Sequence, residues 1–490
     1  MASYSTDSEQ PDSRRASTLS NLLIPRTRHR QSSSVSSLAG SYQSHRYSRS
    51  IDLSTSAPSV TLQNDMSDET EGLSIMFDGG NHVIVRPNRV VRGKVILHTS
   101  DRLYATRIRI KFRAEEVAAV RLDETKEKTY KIHKCATTFF EVDWKLWGTE
   151  TSVIVQSGWD EIEPGHYEFP FALKFPNVNF PPSMDEPNGF RIRFVWTAQL
   201  DGPALQSGLK SREYNTPYRP ILVSPPDKEW TYKTTLMRDK KQVMCEVQAK
   251  IARQAFCPDE PFSMNMHITT LHSDAKITAL HYKFRKHHHG KLMVASGTAF
   301  QQSTKNIVQG SIPLTSSNQA SITENVTFSV PTRLVSPSFV SRHTRVHYDI
   351  LITVTVDYGG LFKVVHHSEF AIPISIANLP NDQLLRINEL MAVKSYNDSR
   401  DSPIFFDPEL EEPPVYNRTN NSGPLSPYML GTPHSEEPPN YFSIPNLHQI
   451  DAPVERKERT VYTTRPVNGT SDPDNLPEAT FIPGVFDDEW

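Results

Sequence analysis

Arg107-Ile108-Arg109-Ile110-Lys111-Phe112-Arg113 alternates cationic and apolar residues without a break. Successive side chains of an extended strand point to opposite faces, so Ile108, Ile110 and Phe112 share one face and four cations share the other. Arg191-Ile192-Arg193-Phe194-Val195-Trp196 repeats the pattern. Further on, Val346, Tyr348, Ile350, Ile352, Val354 and Val356 alternate with His347, Asp349, Leu351, Thr353, Thr355 and Asp357. Turn signals punctuate these runs at Asp78-Gly79-Gly80, Glu163-Pro164-Gly165, Pro181-Pro182-Ser183, Asp201-Gly202-Pro203 and Tyr358-Gly359-Gly360. Short alternating segments with no long 3.6-residue period specify antiparallel β-sandwiches and an all-β fold class.

Working outward, the apolar residues concentrate between Gly72 and Leu379, which is room for two domains. Pro220-Ile221-Leu222-Val223-Ser224-Pro225-Pro226 is the natural boundary, giving sandwiches at 71–225 and 226–380. Residues 382–390 read as a short helix within a 381–396 connector. Residues 1–70 are Ser- and Arg-rich without apolar period, and residues 397–490 are acidic and Pro-rich. Both flanks are expected to be disordered tails, because they lack the apolar surface that offsets ordering entropy.

Only 37% of the 490 residues are hydrophobic, 37 are proline, and the net charge is −3. No global charge draws the chain to nucleic acid, although a basic arm and an acidic tail frame a near-neutral middle. Cys135, Cys245 and Cys257 have no CxxC spacing, which suits a reducing compartment. The polar N-terminus shows no secretory leader, and no apolar run reaches membrane-spanning length. A soluble intracellular protein is expected.

Glu163-Pro164-Gly165-His166-Tyr167-Glu168-Phe169-Pro170-Phe171, then Phe180-Pro181-Pro182-Ser183 and Ile192-Arg193-Phe194, resembles the hallmark run of the arrestin N-terminal domain. Ile251-Ala252-Arg253-Gln254-Ala255-Phe256-Cys257-Pro258-Asp259-Glu260, Val346–Ile352 and Phe370–Ile376 are similar to the arrestin C-terminal domain. Asp259 stands where the family turn has glycine; Asp tolerates the left-handed region better than most residues, so the turn is expected to survive. Leu271-His272-Ser273 stands where an Asn-Ser pair is customary. The resemblance implies a non-catalytic α-arrestin whose cupped sandwiches bind cytosolic segments of transmembrane transporters or receptors.

Pro413-Pro414-Val415-Tyr416 and Pro438-Pro439-Asn440-Tyr441 are both PPxY. Paired prolines pre-set a polyproline II backbone that fits between the aromatic walls of a WW domain, while Tyr416 or Tyr441 enters a second groove. Glu411-Glu412 and Glu436-Glu437 precede them and complement a basic WW surface. Two motifs in one tail can engage two WW modules of a HECT-type ubiquitin ligase at once. The expected function is therefore ligase recruitment to membrane cargo, leading to ubiquitination and endocytosis. The alternatives are a signalling scaffold on a multi-span sensor and, from another class, a β-sandwich enzyme.

Ser17, Ser33 and Ser50 follow arginines in a pattern that suits a basophilic kinase. Arg107, Arg109, Lys111, Arg113, Arg191 and Arg193, with Arg92 and Lys94, could meet anionic lipid or acidic cargo, or be an ordinary solvated face. The resemblance implies a ubiquitin acceptor in the second domain, for which Lys240, Lys241, Lys250 and Lys276 are candidates. His287-His288-His289, near His281, is expected at a loop tip, with no metal because no acid or Cys ligand lies at a fitting spacing. No GxSxG, Walker, GxGxxG, HExxH or EF-hand motif occurs, and no cofactor is expected.

Overall fold

The computed structural model describes residues 71–490 apart from 81–82, 125–128, 150–158, 186–188, 203–207, 239–241, 313, 315–319, 359–363, 388–389, 391, 411–454, 468–475 and 487–489. The described chain is built from two antiparallel β-sandwiches. The alternation at 107–113 becomes the strand Arg107–Glu124, with Ile108, Ile110 and Phe112 fully buried. It lies between Phe190–Asp201 and Thr129–Gly148 in the larger sheet of the first sandwich. The facing sheet runs Gly72–Phe77, Val90–Thr99, Gly165–Lys174 and Ile404–Phe406. Aromatic rings close the space between the sheets: Trp196 lies 4.1 Å from Phe112, 5.4 Å from Phe77 and 5.6 Å from Phe171, centroid to centroid.

The second sandwich repeats this plan. One sheet runs Trp230–Arg238, Gln242–Ile251, Pro261–Thr270 and Ser321–Ser329. The other is centred on Ala275–Val294 and Thr344–Tyr358, the latter carrying the alternation that begins at Val346. All six apolar residues of that alternation are buried. Asp259 takes φ 69° in the tight turn, and Glu260 Oε2 accepts the Cys257 N–H at 2.7 Å. The departure from glycine is thus absorbed by a residue able to enter the left-handed region. Cys135, Cys245 and Cys257 are buried free thiols.

The two sandwiches meet through the far half of Arg107–Glu124. The face that buries Ile108, Ile110 and Phe112 in the first core goes on to bury Ala118 and Val120 against Leu292 and Ala299 of the second sandwich. Gly290 lies against the Phe190 ring, so a Cβ there would overlap it. Glu116 is fully buried at this junction, where its Oε1 accepts from Ser341 Oγ at 2.6 Å and His343 N at 3.0 Å. Burial pushes its carboxyl pKa up. The connector at 220–226 is held beside the end of the second sandwich: Leu222 N donates to Asn378 Oδ1, and Val223 bridges Leu379.

Three expectations are corrected here. The helix expected over 382–390 is one turn, Gln383–Arg386, because Ile387 is already extended at φ −125° and ψ 91°. The histidine run lies inside the strand Ala275–Val294, paired on both sides, rather than at a loop tip. The tail expected to be disordered over 397–490 contributes strands to the sandwiches at Ile404–Phe406, Arg459–Val467 and Thr480–Pro483. A window average dilutes such short apolar segments within proline and charge. The PPxY residues Pro413, Pro414, Tyr416, Pro438, Pro439 and Tyr441, the arm serines Ser17, Ser33 and Ser50, and Lys240 and Lys241 lie outside the described residues.

Candidate functional site

Two fastenings hold the first sandwich to the ends of the segment 411–454. At the first, Ile404–Phe406 extends the sheet next to Gly165–Lys174, Phe405 standing opposite Leu173. All three side chains are buried, and Phe405 meets Trp196 edge-on at 6.3 Å. Burying each contributes about 1.5–3 kcal/mol before ordering costs. Arg92 then closes over the chain. Its guanidinium sits 5.4 Å from the Phe406 ring centroid and donates to Pro408 O at 2.7 Å and Leu410 O at 2.9 Å. Arg92, a candidate lipid contact in the sequence, is thus engaged by the tail.

The second fastening begins at Glu455, which bridges Asp401. Arg456 follows with its side chain 1% exposed. Its Nη1 donates to Ser399 O at 2.6 Å and its Nη2 to Tyr396 O at 2.7 Å. The guanidinium lies 3.7 Å from the Tyr396 ring centroid, and Nε lies 3.2 Å from Glu458 Oε1. Tyr396 OH donates to the same carboxylate at 2.5 Å, while its ring packs on Phe139 and Phe180. Burial first, and then the Glu458 carboxylate, push the Tyr396 phenol pKa up. A buried arginine keeps its charge when carbonyls, a carboxylate and an aromatic face replace its water, and all three are present here.

Beyond the arginine the chain lies along the platform. Arg459–Val467 adds an antiparallel strand to Thr129–Gly148, from Arg459 opposite Thr138 to Val467 opposite Tyr130. Leu476 and Ala479 are buried beside the junction of the sandwiches, and Thr480–Pro483 pairs with the second sandwich at Gly297–Phe300. Trp490 Nε1 donates to Ser341 O at 3.0 Å. The C-terminal stretch therefore straps one sandwich to the other.

The cationic faces are built differently from what their sequence suggests. Arg107 and Arg109 pair with Asp201 at 2.5 and 3.2 Å, and Lys111 pairs with Glu141 at 2.9 Å. Arg113 reaches Glu213 at 2.8 Å, and Arg193 reaches Glu115 at 2.5 Å. Arg191 stands opposite Asp185 on the ladder, and Lys94 pairs with Glu168 at 2.6 Å. Acids on neighbouring strands and loops pair with Arg107, Arg109, Lys111, Arg113, Arg193 and Lys94, so most of the charge on this face is already balanced. Of the candidate ubiquitin acceptors, Lys250 and Lys276 are exposed; Lys250 lies 3.7 Å from Glu229 and Lys276 stands opposite Asp357.

No helix among the described residues is long and apolar enough to cross a membrane. The model of the arrestin (or S-antigen) N-terminal domain matches residues 73–220, and that of the arrestin (or S-antigen) C-terminal domain matches residues 241–381. No curated protein matches the chain. The two matches follow the two sandwiches in order and together cover more than half of the sequence, so the chain belongs to the arrestin-domain proteins.

Proposed function

We propose that this arrestin-domain protein is an α-arrestin-type adaptor that recruits a HECT-type WW-domain ubiquitin ligase to membrane-protein cargo. The observation that carries the reading is the position of the motifs. Pro413-Pro414-Val415-Tyr416 and Pro438-Pro439-Asn440-Tyr441 both fall within 411–454, and the residues on either side, Leu410 and Arg456, are held on the first sandwich. A ligase bound there stays tethered to the platform, which raises its concentration around lysines of whatever the platform holds. The paired sandwiches supply the broad, rigid body on which a transporter or receptor segment would dock. The protein works at the cytoplasmic side of plasma membrane or endosomes, and phosphorylation around Ser17, Ser33 and Ser50 regulates it.

The test is capture of the full chain on an immobilised tandem WW fragment. Wild type should be retained, and Tyr416→Ala together with Tyr441→Ala should be lost while the fold stays intact by circular dichroism. Equal capture of that double variant would remove the ligase from the proposal.

A further inference from the structure

On the outward face of the second sandwich's larger sheet, histidines from two strands converge. His287 and His289 are two residues apart on Ala275–Val294 and project to the same side. His347 stands directly opposite His287 on Thr344–Tyr358. The His347 ring lies parallel to His287 at 4.8 Å and meets His289 edge-on at 4.6 Å. One ring nitrogen from each residue can be chosen so that all three lie within 4.8 Å of one another. Asp349, the next residue on that face, puts Oδ1 3.0 Å from His287 Nε2, and Arg285 grips its carboxylate at 2.8 and 2.6 Å. His287 Nδ1 lies 3.0 Å from Thr304 Oγ1, which fixes the ring.

A purely structural cluster explains this poorly. His347 Nδ1 is buried without a hydrogen-bond partner among the described residues, a state that folded proteins avoid. A neutral imidazole offers a metal ion the lone pair of whichever ring nitrogen carries no proton. The sequence hid the site because the third imidazole is far along the chain and meets the other two only through strand pairing.

We propose that His287, His289 and His347 bind a divalent zinc-class ion across the two strands, with Thr304 holding His287 at Nδ1 while His287 Nε2 turns from Asp349 to the ion and the Asp349 carboxylate completes the coordination. Three imidazoles suit zinc, copper or nickel better than the hard cations, which prefer oxygen. Tetrahedral zinc with bonds of about 2.0–2.1 Å needs ligand atoms roughly 3.3–3.4 Å apart, so the rings must close by a little over an ångström through side-chain rotation. The strand register already supplies the backbone spacing. Arg285 and Arg345 beside the site oppose the ion's charge, so affinity is weaker than in a closed structural zinc site. The bound ion ties together the two central strands of the sheet.

The test uses the full chain without a polyhistidine tag, stripped of metal and titrated with Zn2+ against a chromogenic chelator. One equivalent should bind, and His289→Gln and His347→Gln should each weaken it by about tenfold or more. His281→Gln, at an exposed histidine beside Ser311, should bind like wild type. At one fixed Zn2+ concentration the melting temperature of wild type should rise, and that of His347→Gln should rise by clearly less. Co2+ added to wild type should give the intense visible bands of a tetrahedral nitrogen-rich site, a readout that depends on no variant folding. Absence of stoichiometric Zn2+ binding and of the cobalt bands in wild type overturns the site, as does wild-type affinity in both Gln variants.

Discussion

Two strands from the same C-terminal stretch extend the first sandwich, and different forces hold them. Ile404–Phe406 is three residues long, but its side chains are only 7, 9 and 5% exposed. Arg459–Val467 is nine residues long and fully laddered, yet Val461 and Tyr462 remain 41 and 58% exposed. A net backbone hydrogen bond contributes roughly 0.5–1.5 kcal/mol, and ordering one residue costs about 1–2 kcal/mol. The long ladder alone comes near to breaking even. The short strand adds apolar burial and is the stronger anchor, so length of pairing is a poor guide to strength of attachment.

The largest expected effect that separates the two is at Phe405. Phe405→Ala leaves a cavity beside Trp196 and should cost about 3–4 kcal/mol by denaturant unfolding, with amides of 404–410 exchanging faster. Tyr462→Ala should stay within about 0.5 kcal/mol, and equal losses from the two changes would break the comparison. Next is Arg456→Met, which leaves the Ser399 and Tyr396 carbonyls and the Glu458 carboxylate without their guanidinium. It should cost about 2–3 kcal/mol and loosen the packing of Arg456 on 396–401, read as faster exchange of those amides.

A third, smaller effect concerns the junction of the sandwiches. Glu116 has its pKa raised above 4.5 by burial, so the folded state holds the proton more tightly than the unfolded chain does. Its contribution is full below pH 4.5 and is lost as pH rises through the folded value. Glu116→Gln has no proton to lose and keeps an acceptor for Ser341 and His343. Its stability should show a flatter pH dependence over that window, and near pH 7 it should be at least as stable as wild type. A wild-type slope retained in the variant would show that another group titrates there. Smallest is the exchange difference within wild type itself: amides of 459–467 should exchange about tenfold faster than those of 404–406.

Much of the platform could be read in the sequence. Ile108, Ile110, Phe112 and the run from Val346 to Val356 alternate because each packs one face on a core, and period two survives in sequence. Asp259 was legible because its tolerance of positive φ is intrinsic to the residue. What escaped is what pairing assembles at a distance. The acids Glu141, Asp201 and Glu213 quench the cationic faces from other strands or loops, and His347 completes the histidine trio from across a ladder. The tail strands did leave local signals: the uninterrupted Ile404-Phe405-Phe406, and Thr460-Val461-Tyr462-Thr463-Thr464, rich in strand-forming residues. Surrounding proline and charge masked both. The spacing of Leu384, Ile387 and Leu390 suggests a helix over 382–390 but covers fewer than two turns, too little to hold one without further packing.

In the proposed function, residues 411–454, between the anchored Leu410 and Arg456, offer two WW-binding motifs from an arrestin platform. Calorimetric titration of the full chain with a two-WW-domain fragment tests it most directly. Tyr416→Ala and Tyr441→Ala singly should each weaken binding by about a hundredfold, through loss of the intramolecular second contact, and the double variant should show no heat of binding. Undiminished affinity in the double variant would contradict the account.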